Sequence, residues 1–260
     1  MPVLPLMTRR RFYAPPSAFS AELDSVNLAT DEARHLRDVL RLKPGDEVYV
    51  FDGGGSEFHC RVSESRRDSA QLKIISKVEP ARPESSLDLT LAVALLKGEK
   101  FDLVVQKATE LGVTRVVPVI TRHADIRLRD ESDAVKRVAR WQRIALEAAK
   151  QSGRAVVPEV NTPITFESLV QTYDTTAGMA RLMFSERGGQ SLTEAATDIP
   201  GEIAGITVLV GSEGGWADEE LGEARAAGWI VVTLGGRTLR AETAAITVCA
   251  LIQYLYGDLR

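Results

Sequence analysis

Three runs in the last third of the chain carry residue types suited to holding a ligand. They are Phe184-Ser185-Glu186-Arg187-Gly188-Gly189, Gly211-Ser212-Glu213-Gly214-Gly215-Trp216 and Leu234-Gly235-Gly236-Arg237-Thr238-Leu239-Arg240-Ala241-Glu242-Thr243-Ala244. Each follows an apolar, strand-like run. Glycine lets a backbone approach a ligand closely and take conformations closed to other residues. Open α/β sheets hold ligands at the carboxyl ends of their strands, where these runs fall. Two such loops on strands consecutive in sequence could wall one pocket. The plainer reading of any single loop is a tight strand-to-helix turn that uses glycine for geometry alone.

Other chemistries lack their signatures. Gly211-x-x-Gly214-Gly215 is not G-x-G-x-x-G, and no G-x-x-x-x-G-K-[ST] occurs, which disfavours an NAD enzyme and a P-loop NTPase. No G-x-S-x-G elbow supplies a hydrolase nucleophile. The three histidines, His35, His59 and His123, have neither zinc-finger nor H-E-x-x-H spacing, so no metal site is expected. Cys60 and Cys249 form no C-x-x-C pair and no disulfide framework.

The elements that must position the loops change character along the chain. Before the Pro80–Pro83 seam the pattern is strands: 47–51, 57–62 and 71–75, with turns at Lys43-Pro44-Gly45-Asp46 and Asp52-Gly53-Gly54-Gly55. This reads as a small β-barrel-like module over residues 1–80. Within it a helix starts near Thr30, a plausible N-cap. Leu36, Val39 and Leu40 share its core face, and Arg34, Arg37 and Arg41 align on the opposite one. Over residues 81–260 strands and helices alternate. Strands fall at 87–96, 115–120, 178–184, 206–210 and 230–234, and helices at 102–111 and 132–152, which means an α/β domain with a mainly parallel sheet. The last helix, over 244–256, is apolar around nearly its whole circumference and must be buried on several sides, in a core or in a homodimer interface.

Composition bounds the answer. The 260 residues suffice for one or two domains, and 44% hydrophobic with 26% charged residues is ordinary for a globular protein. The N-terminal run before Arg9 is apolar but too short and proline-rich for a signal peptide, so the expected compartment is the cytoplasm. The net charge of −4 argues against a general nucleic-acid binder. Local stripes argue the other way. Residues 115–154 hold ten Lys and Arg against five Asp and Glu, and Arg9-Arg10-Arg11 precedes Phe12-Tyr13. Local charge governs contact with a phosphate backbone, because the Debye length is only about 8 Å at physiological salt. Solvated faces are the plainer reading of each stripe.

The loops at 211–216 and 234–244 resemble the cofactor site of the SPOUT class of S-adenosylmethionine-dependent RNA methyltransferases. The stretches 35–48, 95–113 (Leu-Leu-Lys-Gly-Glu-Lys onward) and 147–154 narrow this to a resemblance to the RsmE family, over almost the whole chain and in the family's order. That resemblance implies an N-terminal PUA-like, RNA-binding β-barrel. It also implies a C-terminal trefoil-knotted SPOUT domain that dimerises, and methylation of N3 of a uridine in the 16S rRNA of the small ribosomal subunit. It implies that S-adenosylmethionine rests on Phe184, Ser185, Glu186, Gly211, Ser212, Glu213, Gly214, Gly215, Leu234, Gly235, Leu239, Arg240, Thr243 and Ala244. Leu234 and Leu239 would wall the adenine. RNA would lie on Arg9, Arg10, Arg11, Arg34, Arg37 and Arg41, with Arg122, Arg143 and Arg154 from the catalytic domain.

Methyl transfer from a sulfonium needs an in-line nucleophile and no metal. Uracil N3 must lose its proton on or before attack, and a preorganised cation would stabilise the charge on the ring oxygens. Arg240 matches the family's loop arginine and is the catalytic candidate; guanidinium stays protonated and is no base. Its alternative role is an ion pair with Glu242 or Glu213. The base stays open among Glu213, Glu242 and water. Rival functions are a SPOUT enzyme with another RNA target (a 2′-hydroxyl or a transfer RNA base), a non-catalytic ribosome assembly factor, and a dinucleotide oxidoreductase.

Overall fold

The two parts of the chain build two different sheets. The computed structural model describes residues 9–124, 126, 128–172, 178–199 and 203–259, so the run before Arg9 lies outside the described residues. These fall into two units: residues up to Glu84 with Ala149–Val157, and Ser85–Ala148 with those from Pro158 on. The seam thus falls after Glu84, not at residue 80, and a second segment joins the first unit. Glu84 is the reason. Its carboxylate accepts the backbone N–H groups of Ala155 and Val156 at 3.0 Å each and pairs with Arg154 at 2.9 Å.

The first unit holds β1 (Arg11–Tyr13), β2 (Ser25–Leu28), β3 (Glu47–Phe51), β4 (Glu57–Ser65) and β5 (Ala70–Val78). Its order is β1-β3-β4-β5-β2, with β1 parallel to β3 and every other pairing antiparallel. The period-two pattern sends Val48, Val50, Cys60, Val62 and Leu72 into one core with Phe12, Leu28 and Leu36. Register irregularities at His59/Cys60 and Val62/Glu64 add twist, and the sheet curls.

The embedded helix departs from expectation. It starts at Thr30, with Ala29 at the N-cap position and no side-chain cap, as α1 (Thr30–Arg34), and continues as a π-turn over His35–Val39. The Leu40 N–H bonds back to His35 O, five residues earlier. That extra residue breaks the 100° stripe. Leu36 is buried, but Val39 is 65% and Leu40 37% exposed. Arg41 follows at φ 55°, so Arg34, Arg37 and Arg41 do not form one row.

The second unit holds β6 (Asp88–Ala94), α2 (Lys100–Glu110), β7 (Arg115–Ile120), α3 (Glu131–Ser152, whose last turn joins the first unit), β8 (Glu159–Val160), β9 (Ile164–Thr165), α4 (Phe166–Thr172), β10 (Met179–Phe184), α5 (Leu192–Asp198), β11 (Gly205–Val210), α6 (Asp218–Ala226), β12 (Ile230–Val232) and α7 (Ala241–Tyr256). Strand order is β12-β10-β11-β6-β7-β8, with β9 also on β7, all parallel. Parallel strands are covered on both faces and read as unbroken apolar runs; all six residues of β11 are buried. The order has a consequence for the loops. β10 lies between β11 and β12, so three carboxyl ends stand side by side. Helix α7 packs against α2, β6 and β11 and buries Ala245, Val248, Cys249 and Ile252, yet Tyr254 is 59% exposed.

Candidate functional site

The loops after β10, β11 and β12 enclose one cavity of about 220 Å³. Phe184, Ser185 and Glu186 line it from the first, Gly211, Ser212, Glu213, Gly214, Gly215 and Trp216 from the second, and Leu234, Gly235, Arg237, Thr238 and Leu239 from the third. Ala241 and Ala244 of α7, with Val210, complete the wall.

Packing and hydrogen bonds fix the first two loops to each other. Trp216 is buried, and its Nε1–H donates to Phe184 O at 2.8 Å. A side-chain carbon at Gly211 would stand 2.9 Å from the Trp216 ring, so this glycine is dictated by packing. Arg187 donates to Asp218 at 2.6 Å and to Trp216 O at 3.0 Å. Gly215 has φ +67°, in the left-handed region that favours glycine. The third loop differs. Among the described residues, none of 234–239 hydrogen-bonds to another segment. A carbon at Gly235 or Gly236 would meet nothing within 4 Å. Backbone donors and acceptors therefore stand unspent beside open space.

All the expected cofactor residues line this cavity except Arg240 and Thr243. The helical repeat explains both: Ala241 and Ala244 turn inward at the start of α7, while Arg240, at the N-cap, and Thr243 turn outward and are exposed. Neither expected ion pair of Arg240 forms, and no described residue pairs with its guanidinium. Glu213 instead pairs with Lys100, and Glu242 Oε2 is buried without a partner. Sequence reading overlooked Arg237, Thr238, Trp216, Val210 and Ala241 as lining. A second arginine in the run that holds Arg240 was the available signal.

An RNA methyltransferase domain model matches residues 83–253. It covers about two thirds of the chain, including all three loops.

The chain belongs to the ribosomal RNA small subunit methyltransferase E family.

A model of the RNA methyltransferase PUA domain matches residues 28–75. The family's Synechocystis member is 34% identical over 96% of this chain and 78% of its own length. The Bacillus subtilis member is 29% identical over 91% and 94%. The crystal structure of ribosomal RNA small subunit methyltransferase E from Neisseria gonorrhoeae, bound to S-adenosylmethionine, superposes with a TM-score of 0.83 at 34% identity, over 97% of this chain and all of that one. A Legionella pneumophila methyltransferase in complex with the same cofactor gives 0.83 at 29%, over 96% and 99%. The curled sheet is thus the family's PUA-like module and the parallel sheet its SPOUT-class α/β domain.

In a family that acts on RNA, the disposition of the arginines matters next, and most of the expected contacts are already engaged. Arg9 and Arg11 pair with fully buried Glu57 at 3.0 and 3.1 Å. A carboxylate without water must be neutralised by partners. Arg154 is buried and bound to Glu84. Arg34 pairs with Asp68, and Arg122 with Glu219. Arg37 holds Asp38 and the carbonyls of Arg66 and Arg67. Arg10, Arg41 and Arg143 are exposed with no partner among the described residues. Among those residues no group of three or more His, Cys, Asp or Glu could hold a metal, and no helix is long and apolar enough to cross a membrane.

Proposed function

We propose that this chain transfers the methyl group of S-adenosylmethionine to N3 of a uridine in the 16S rRNA of the small ribosomal subunit, as a homodimer in the cytoplasm. The observation that carries the reading is the three-loop cavity with its unspent third wall. Leu234 and Leu239 offer apolar surface to an adenine, and the free backbone of 234–239 offers polar groups to its edge. The backbones of Gly211, Gly214 and Gly215, with Ser185 and Glu186, suit the ribose and the methionine part. Thr243, turned outward, is not assigned a contact. S-adenosylmethionine, when bound, supplies an electrophilic methyl on a sulfonium.

This chain's own residues do the rest. Arg240, unpaired at the head of α7, is the cation for the charge that spreads onto the uracil oxygens as N3 loses its proton. The first unit holds RNA, with Arg10 and Arg41 as its free cations and Arg143 adding a third from the catalytic unit. Ala250, Leu251, Tyr254 and Leu255 recur at the spacing of one helix face and leave an apolar strip along α7, suited to a second copy.

Mass spectrometry of rRNA from cells lacking the protein tests the assignment: N3-methyluridine should vanish from the small-subunit RNA. Unchanged methylation overturns it. Calorimetry with S-adenosylmethionine and with NAD separates it from an oxidoreductase, and sedimentation tests the dimer.

A further inference from the structure

A shallow recess opens beside the cavity. Its walls are Leu95, Leu96 and Lys97 after β6, His123 after β7, and Ser212, Glu213 and Gly214 after β11. The last three line the cavity as well, so one loop serves both spaces. The recess sits where β6 neighbours β11, one strand further along the sheet. It also employs the run Leu95-Leu96-Lys97-Gly98-Glu99-Lys100, which has no part in the cavity.

The walls are tied together. Ser212 Oγ–H donates to His123 O at 3.2 Å, and the His123 ring lies 3.2 Å from Gly214 O. Buried Glu220 accepts the Arg122 N–H at 3.1 Å and the Ala217 N–H at 2.9 Å, which fastens the segment before His123 to the start of α6. Glu213 is the charged residue of the shared loop. Its partner is the Lys100 ammonium, and its side chain stays 45% exposed.

We propose that Lys97, Glu213 and Lys100 form a donor–acceptor–donor edge that reads the imide face of the target uracil. The inference rests on the uracil-N3 reading and deepens it. Uracil presents O2, N3–H and O4: acceptor, donor, acceptor. An ammonium, a carboxylate and a second ammonium are its complement. Cytosine presents a bare N3 and an amino group, which would face the carboxylate and an ammonium respectively. Both contacts are repulsive, and repulsion of the wrong partner is half of specificity.

The same edge handles the proton. N3–H donates to a Glu213 oxygen. As N3 forms its new bond the proton passes to that oxygen, and the N–H electron pair stays on the ring, shared with O2 and O4 beside the two ammonium groups. Glu213 then releases the proton to solvent through its exposed side. Because Glu213 borders both spaces, N3 is held at the boundary with the methyl site.

The test uses small ribosomal subunits from cells lacking the enzyme. Methylation is followed by mass spectrometry and cofactor binding by calorimetry. Glu213→Gln should lower kcat about 100-fold, the order of a lost general base. Lys97→Met, outside the cavity lining, should keep cofactor affinity and weaken subunit use roughly tenfold, as for a lost polar contact. Subunits with the target uridine replaced by cytidine should compete poorly against wild type. They should compete about tenfold better against Glu213→Gln, whose amide can donate to cytosine N3. Glu213→Gln that methylates within about twofold of wild type, or Lys97→Met that keeps full preference for uridine, overturns the proposal. Wild-type protein that leaves the subunits unmethylated overturns the parent reading, and this one with it.

Discussion

In the first unit the charges that stand closest together are spent inside the fold. Glu57 has no exposed surface, and it takes Arg9 and Arg11, whose guanidinium groups lie 4.6 Å over the rings of Tyr49 and Phe51. Arg11 also donates to Arg154 O at 2.9 Å, and Arg154 in turn holds Glu84. In the second unit the loop 234–239 makes no hydrogen bond to another described segment, and Arg240 has no described partner. The first arrangement holds a fold together; the second leaves polar groups over for something else. Burial decides between them. A buried carboxylate demands neutralisation from whatever cation is in reach, while a loop at a strand's carboxyl end faces water and can keep its donors for a ligand.

The largest expected effect lies in the spent network. Glu57→Ala leaves Arg11, itself nearly buried, with an uncompensated charge, and breaking a buried pair costs about 3–5 kcal/mol. Urea unfolding measures it, and the thiols localise it. Cys60 lies in the first unit and Cys249 in the second, and burial pushes both up to about 12. Neither native thiol should react at neutral pH, since the thiolate is the reactive form. In Glu57→Ala, Cys60 should label at lower urea than Cys249. Labelling of both at one urea concentration would mean that the units unfold as a single body, and the contrast drawn above would lose its energetic meaning.

The second effect sits on the ligand side. Gly211→Ala puts a carbon 2.9 Å from the Trp216 ring, which is held in place by its bond to Phe184 O. Overpacking of this kind costs about 1–3 kcal/mol. The displaced ring is a cavity wall, so affinity for S-adenosylmethionine should fall by about tenfold or more at that cost. Calorimetry reads the loss. Full affinity would show that the 211–216 loop is only a turn.

How far each region could be read in advance follows from the range of its interactions. The strand Gly205–Val210 is six consecutive apolar or small residues, and the glycine loop after it follows at once, so strand and loop are local facts of the chain. The neighbourhood of the three loops was only partly local: nothing in the sequence says that β10 slips between β11 and β12. Arg9 and Arg11 could not be read correctly, because the carboxylate that claims them lies 46 or more positions away and looks like any strand glutamate. The π-turn at 35–39 defeated a reading that assumed 100° per residue. Arg240 missed the cavity lining by a fraction of a helical turn that depends on where α7 begins.

A third effect concerns the arginines left over. Arg10→Ala and Arg41→Ala should leave the urea midpoint unchanged. Each should reduce the slope of log affinity for rRNA against log salt by about one unit, the signature of one lost phosphate contact. Fluorescence anisotropy over a salt series measures both slopes. If neither slope moves, the unspent arginines of the first unit are solvated faces and RNA is held elsewhere.

The smallest effect separates pairing from burial. Arg34 and Asp68 are 3.2 Å apart, like the Glu57 pairs, but with side chains 55% and 57% exposed. Water already solvates both charges, so Asp68→Asn should change stability by no more than about 1 kcal/mol. The same change frees the Arg34 guanidinium on an exposed surface, so RNA affinity should hold or rise slightly at low salt. A loss of stability comparable to that of Glu57→Ala would show that pairing itself, and not the removal of water, holds the first unit's arginines.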